Sequence, residues 1–80
     1  MARKIRIRGQ TIRLGQLLKL AGVVDSGSEV KDLLASVPAR VNGEPETRRG
    51  RQLHDGDVVA AAGEELVVSA GPDAPLDGRD

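Results

Sequence analysis

Two apolar stripes with the same spacing constrain this chain's fold more than any other feature. Leu14, Leu17, Leu18 and Ala21 lie at i, i+3, i+4 and i+7, and Val30, Leu33, Leu34 and Val37 repeat the pattern. Each is the buried face of an amphipathic helix. The first helix is expected over residues 12–21, with Thr11 as its N-cap and Gly22 just past its end. Gly15 inside it costs about 1 kcal/mol against Ala, so a tertiary contact must compensate or require the close approach. The second helix is announced by Ser26-Gly27-Ser28-Glu29, a capping box with Ser26 at the N-cap and Glu29 returning the bond. Pro38 disfavours helical geometry at Val37, so this helix should end near Ala35 or Ser36. Two such helices joined by a short connection form an αα-hairpin. Neither can bury its stripe alone, so a sheet must cover them.

The remaining residues supply that sheet. Lys4-Ile5-Arg6-Ile7-Arg8 alternates as a half-buried strand whose basic outer face suits an edge. Ala39 to Asn42 reads as a strand with Val41 inward and Arg40 outward. It turns through Asn42-Gly43-Glu44-Pro45 and returns weakly at Glu46-Thr47. Val58–Ala61 and Leu66–Ser69 form a hairpin around residues 62–65. Asn42-Gly43 and Asp55-Gly56 supply the positive φ values that tight turns demand. From Gly71 the chain is acidic and rich in Pro and Gly, and it reads as a disordered tail over 71–80. The expected architecture is α+β: one domain over 1–70, a helical hairpin packed on a small, mostly antiparallel sheet.

Composition narrows the chemistry. The 80 residues include no Phe, Tyr or Trp, so base stacking on aromatic platforms is excluded. Without Cys there is no disulfide framework and no thiolate metal site, and a single histidine provides no ligand set. The charged, alternating N-terminus is not a signal peptide, and no apolar run approaches membrane-spanning length. These features read as a cytoplasmic protein without a membrane partner. The net charge of zero hides an asymmetry: residues 1–54 hold eleven of the twelve Lys and Arg but five of the twelve Asp and Glu. That surplus of positive charge points one face toward a polyanion.

Catalysis has little to stand on. His54 sits beside Asp55 at a turn, with no nucleophile brought to it by a local motif, and Ser26 and Ser28 are explained by capping. No phosphate-cradling glycine loop follows a strand and opens a helix. Basic residues, by contrast, recur at every element that could share a face. Arg13 begins the first helix and Lys19 lies further along it. Lys31 is on the polar side of the second helix, and Arg40 is on the outward side of the strand. Arg48, Arg49 and Arg51 form a cationic knot on the following loop, where they read as dispensable to any core. Guanidinium groups make bidentate contacts to phosphate. Without aromatics, such a face reads backbone and shape more than base identity.

These motifs, in this order, resemble the S4 RNA-binding domain, with no gap from Arg13 to Val59. Arg13-Leu14 with Leu17-Leu18 resembles that family's opening helix, and Gly22, Ser26, Lys31 and Leu33 resemble its turn and second helix. Val41-Asn42-Gly43 and Gly56-Asp57-Val58 resemble its strand end and following turn. Glu46-Thr47-Arg48-Arg49-Gly50-Arg51, with Gly15-Gln16 and Ser26-Gly27, is similar to the short bacterial S4 proteins that stand alone. Gly15 and Gly27 depart from the family, where many relatives have an acidic residue and an arginine. With RNA supplied by the resemblance as the ligand class, the expectation is a non-catalytic, monomeric module without cofactor or metal. It would bind structured RNA, ribosomal or transfer, through Arg13, Lys19, Lys31, Arg40, Arg48, Arg49 and Arg51. Two other readings are a protein-interaction adaptor using the same basic face and a β-grasp carrier. Against the carrier, the chain ends in Gly78-Arg79-Asp80 and lacks the diglycine such proteins activate.

Overall fold

A computed structural model describes residues 2–70. The segment read as an acidic tail, 71–80, lies outside the described residues. Among the described residues nine elements follow one another: β1 (Ala2–Arg6), β2 (Thr11–Arg13), α1 (Leu14–Leu20), α2 (Gly27–Ser36), β3 (Ala39–Val41), β4 (Glu44–Glu46), β5 (Gln52–His54), β6 (Val58–Ala61) and β7 (Glu64–Ser69). Five strands form a sheet in the order β1-β7-β6-β3-β4, and β2 pairs with β5 in a separate ribbon. Every pairing is antiparallel except β1 with β7. The α+β architecture expected from the sequence is therefore present.

The core is aliphatic throughout. Leu14, Leu17 and Leu18 from α1 and Val30 and Leu34 from α2 pack on Ala39, Val41, Val59, Ala61, Leu66 and Val68 of the sheet and on Leu53 of the ribbon. Alternation along β3 buries Ala39 and Val41 and sends Arg40 to the opposite face of the sheet, away from the helices.

Several boundaries differ from the sequence reading, each for a physical reason. The first strand runs from Ala2 to Arg6 rather than from Lys4 to Arg8, because its partner β7 ends at Ser69. Ile7 N–H makes the last ladder bond, donating to Ser69 O at 3.0 Å. Both hairpins close more tightly than expected. Asn42 and Gly43 lie at φ 52° and 88°, and Ala62 and Gly63 at 51° and 77°. Two consecutive left-handed residues make a two-residue turn, so β4 starts at Glu44 and β7 at Glu64.

The helix ends are also informative. Thr11 is not an N-cap: residues 11–13 are a strand, and α1 starts at Leu14 with Arg13 at the N-cap and no side-chain cap. Ser26 does cap α2, its Oγ accepting from Glu29 N–H at 3.3 Å. The returning bond reaches one residue further than the capping box implies, since Glu29 Oε1 accepts from Asp25 N–H. Helix α2 ends at Ser36, and Val37, extended ahead of Pro38, leaves the buried stripe and is 64% exposed.

Asn42 and Asp57 join the two motifs that carry the family resemblance. Asn42 Oδ1 accepts from Val58 N–H at 3.0 Å, and Asn42 Nδ2 donates to Asp57 Oδ1 at 3.1 Å. Asp57 Oδ2 in turn accepts from His54 N–H at 2.7 Å. The Val-Asn-Gly turn and the Gly-Asp-Val turn are thus tied both side chain to side chain and side chain to backbone. This ties the end of β5 and the start of β6 to the end of β3. At the other end of α1, Arg3 Nη1 donates to Glu64 Oε1 at 2.9 Å and Arg3 Nη2 to Ala21 O at 2.6 Å, tying β1 and β7 to the helix's last carbonyls.

Candidate nucleic-acid interface

The loop 47–51 is built against the start of α1. That helix has no side-chain cap, and its first amide groups need acceptors. The loop provides them: Leu14 N–H donates to Arg51 O and Gly15 N–H to Arg49 O, both at 2.9 Å. Gly15 meets the close-approach condition. A Cβ at that position would lie 3.3 Å from Val30 Cγ1 and 3.4 Å from Arg49 Cβ. A Cβ there would press on the Val30 side chain and fill the contact between the helix and the loop.

The three loop arginines divide into two kinds. Glu46 ends β4 on the core side of the sheet, and its side chain is 7% exposed. Its Oε2 accepts from Arg48 N–H at 3.0 Å and from Arg48 Nε at 3.1 Å. Its Oε1 accepts from Arg48 Nη2 at 3.2 Å and Arg51 Nη1 at 2.9 Å. The Arg48 side chain, the Arg48 backbone amide and Arg51 outweigh burial and hold the Glu46 carboxyl down to about 2. Arg48 and Arg51 are therefore not free cations dispensable to the fold. They neutralise a buried carboxylate and, through it, brace the loop. Arg49 makes no ion pair among the described residues.

Arg13, Lys19 and Arg49 line one shallow cleft, whose other walls are Gly15, Gln16, Gly27, Val30 and Gly50. Lys31 lines the adjoining cleft, which it shares with Arg49, Leu34 and Thr47. Four of the residues singled out in the sequence therefore lie along one band, with Arg49 common to both clefts. Arg48 and Arg51 flank the band on the loop itself. Arg40 does not join it. Its Nη1 donates to Gly43 O at 3.1 Å on the far face of the sheet, beside Val37, Ala60 and Glu65. No acidic residue lines either cleft among the described residues. Gly27 and Gly50, where an added Cβ would meet nothing within 4 Å, leave room for a backbone to approach the cations.

Sequence reasoning missed Glu46 as a site residue, taking it for the weak start of a strand. The available signal was an acid two positions before one arginine and five before another. It also missed Gln16, which the helical periodicity presents as an ordinary polar position.

An aliphatic helical hairpin on a five-stranded sheet, with cations gathered at the hairpin and its neighbouring loop, defines a small α+β module with one basic side. The chain belongs to the S4 domain family, whose model matches residues 5–69. It is 49% identical over 63 residues to the probable ribosome maturation protein RlbA of Bacillus subtilis (strain 168), a match covering 79% of this chain and 89% of the relative. Among solved structures it is similar to the 30S ribosomal protein S4e of Thermoplasma acidophilum. There the TM-score is 0.53 with 23% identity, over 71% of this chain and 30% of that one. That likeness is one of fold.

Proposed function

We propose that this protein is a non-catalytic RNA-binding module acting on ribosomal RNA, with the cleft between α1, α2 and the 47–51 loop as its contact surface. The observation that carries the reading is the convergence of Arg13, Lys19, Lys31 and Arg49 on one band that no acid lines among the described residues. None of the four makes an ion pair among the described residues. Such cations are available to phosphate, and a fork such as Arg49 can contact it through two bonds. A 49%-identical relative described as a probable ribosome maturation protein supports ribosomal over transfer RNA. In this reading the protein works as a monomer in the cytoplasm, and residues 1–70 are sufficient for binding. Arg48 and Arg51 contribute by bracing the loop as much as by contact, and Arg40 lies outside the contact surface.

Crosslinking in cells, followed by sequencing of the bound RNA, tests this. Enrichment of ribosomal RNA fragments, abolished in an Arg13→Gln/Arg49→Gln variant, is the expected result. Co-purification with an acidic protein that survives nuclease treatment would favour the adaptor reading instead.

A further inference from the structure

A second groove adjoins the cleft on the side away from Lys31. It runs between the β1–β2 connection and α1 and is lined by Arg6, Arg8, Ile7, Ile12 and Leu20, with Gln16 and Lys19 shared with the main cleft. Three features distinguish it. Among the described residues its charge is wholly positive: Arg6, Arg8 and Lys19 line it, none of them in an ion pair. Its floor is apolar. Ile7 and Ile12 are half-buried, and Leu20 at 56% exposure is, with Val37, one of two exposed large hydrophobics among the described residues. It is also continuous with the cleft, because Gln16 and Lys19 stand on the ridge between the two.

A duplex would use only part of this surface. Paired strands turn phosphate and ribose outward and keep their base faces stacked inside, so an apolar floor gains nothing from them. An unpaired nucleotide has both a charged backbone and a free apolar base face. We propose that this groove is a second RNA contact, taking one or two unpaired nucleotides that flank the structured element held in the main cleft. Arg6 and Arg8 hold the phosphates, and Leu20 with the isoleucines covers a base. The proposal rests on the RNA-binding reading of the cleft and adds to it a preference for a junction between paired and single-stranded RNA.

The test uses the full chain and two probes: a blunt RNA hairpin, and the same hairpin carrying a three-nucleotide single-stranded extension. Wild-type protein should bind the extended probe several-fold more tightly. Arg6→Gln/Arg8→Gln should abolish that increment while leaving affinity for the blunt hairpin within twofold. On the extended probe its slope of log affinity against log salt should flatten by about 1.4, at roughly 0.7 per single-strand phosphate contact. Leu20→Gln, which keeps the charge, should remove part of the increment with no change of salt slope. Equal binding of both probes by wild type would overturn the proposal, as would an equal weakening on both probes in the arginine variant. Failure of the cleft reading is distinguishable, because wild type would then not bind the blunt hairpin at all.

Discussion

Glu46→Gln is the most informative single substitution for the architecture of the loop. The change keeps size and shape, removes the charge and replaces one acceptor oxygen with a donor. In the wild type, four donors from Arg48 and Arg51 converge on the Glu46 carboxylate. A glutamine can accept from one side only, and its amide nitrogen would face guanidinium donors. The carboxyl is held down to about 2 from an ordinary 4.5. At about 1.4 kcal/mol for each tenfold change in acidity, that sets a ceiling of roughly 3 kcal/mol. Arg48 is 76% exposed, so water screens its share and the ceiling must be discounted. The expected loss at pH 7 is about 2 kcal/mol, or roughly 10 °C in Tm for a domain of this size. Because the folded-state pKa is depressed, the stabilisation is fully present above about pH 4.5. It fades as the pH falls toward 2. The gap between wild type and variant should close over the same window. Urea denaturation followed by far-ultraviolet circular dichroism measures this, since the chain has no Trp or Tyr to report by fluorescence. Equal stability at pH 7, or a gap that does not change with pH, would refute the ion-pair account of the loop.

Two further substitutions test the local structure. Ser26→Ala should cost about 1 kcal/mol by chemical denaturation, because it removes the acceptor for Glu29 N–H, whereas Ser28→Ala, inside the helix, should cost clearly less. Gly15→Val should destabilise by roughly 1–3 kcal/mol despite removing a helix glycine, because its Cβ alone would lie 3.3 Å from Val30 Cγ1 and 3.4 Å from Arg49 Cβ, and a branched side chain adds bulk beyond that. A gain in stability would mean that the loop moves freely.

The helical hairpin, the strand at Ala39–Val41 and the terminal β-hairpin were legible in the sequence because each announces itself within a few residues. Leu14, Leu17 and Leu18 show a 3.6-residue period, Ser26 and Glu29 a cap, and Asn42-Gly43 a turn. The ribbon of β2 and β5 was not. Three-residue strands show no alternation, and Leu53 looks like an isolated apolar residue until its partner Ile12 is brought beside it. The parallel pairing of β1 with β7 joins the two ends of the domain, and no local pattern encodes a pairing at that separation.

The same distinction holds at the interface. Charge density marked Arg48, Arg49 and Arg51 as a group, but their division depends on which face of β4 carries Glu46, a matter of register. Arg40 was correctly read as pointing outward. Outward from β3, however, is the face opposite the helices, and the sequence pattern does not say which outward faces coincide.

The central claim is that Arg13, Lys19, Lys31 and Arg49 form one phosphate-binding band. The most direct measurement is the salt dependence of affinity for a structured ribosomal RNA fragment, comparing wild type with the fourfold Gln variant at matched fold stability. If each of the four cations neutralises one phosphate, the variant should bind at least tenfold more weakly. Its slope of log affinity against log salt should also flatten by roughly 3, at about 0.7–0.9 for each phosphate no longer neutralised. A folded variant with wild-type affinity and an unchanged slope would contradict the claim.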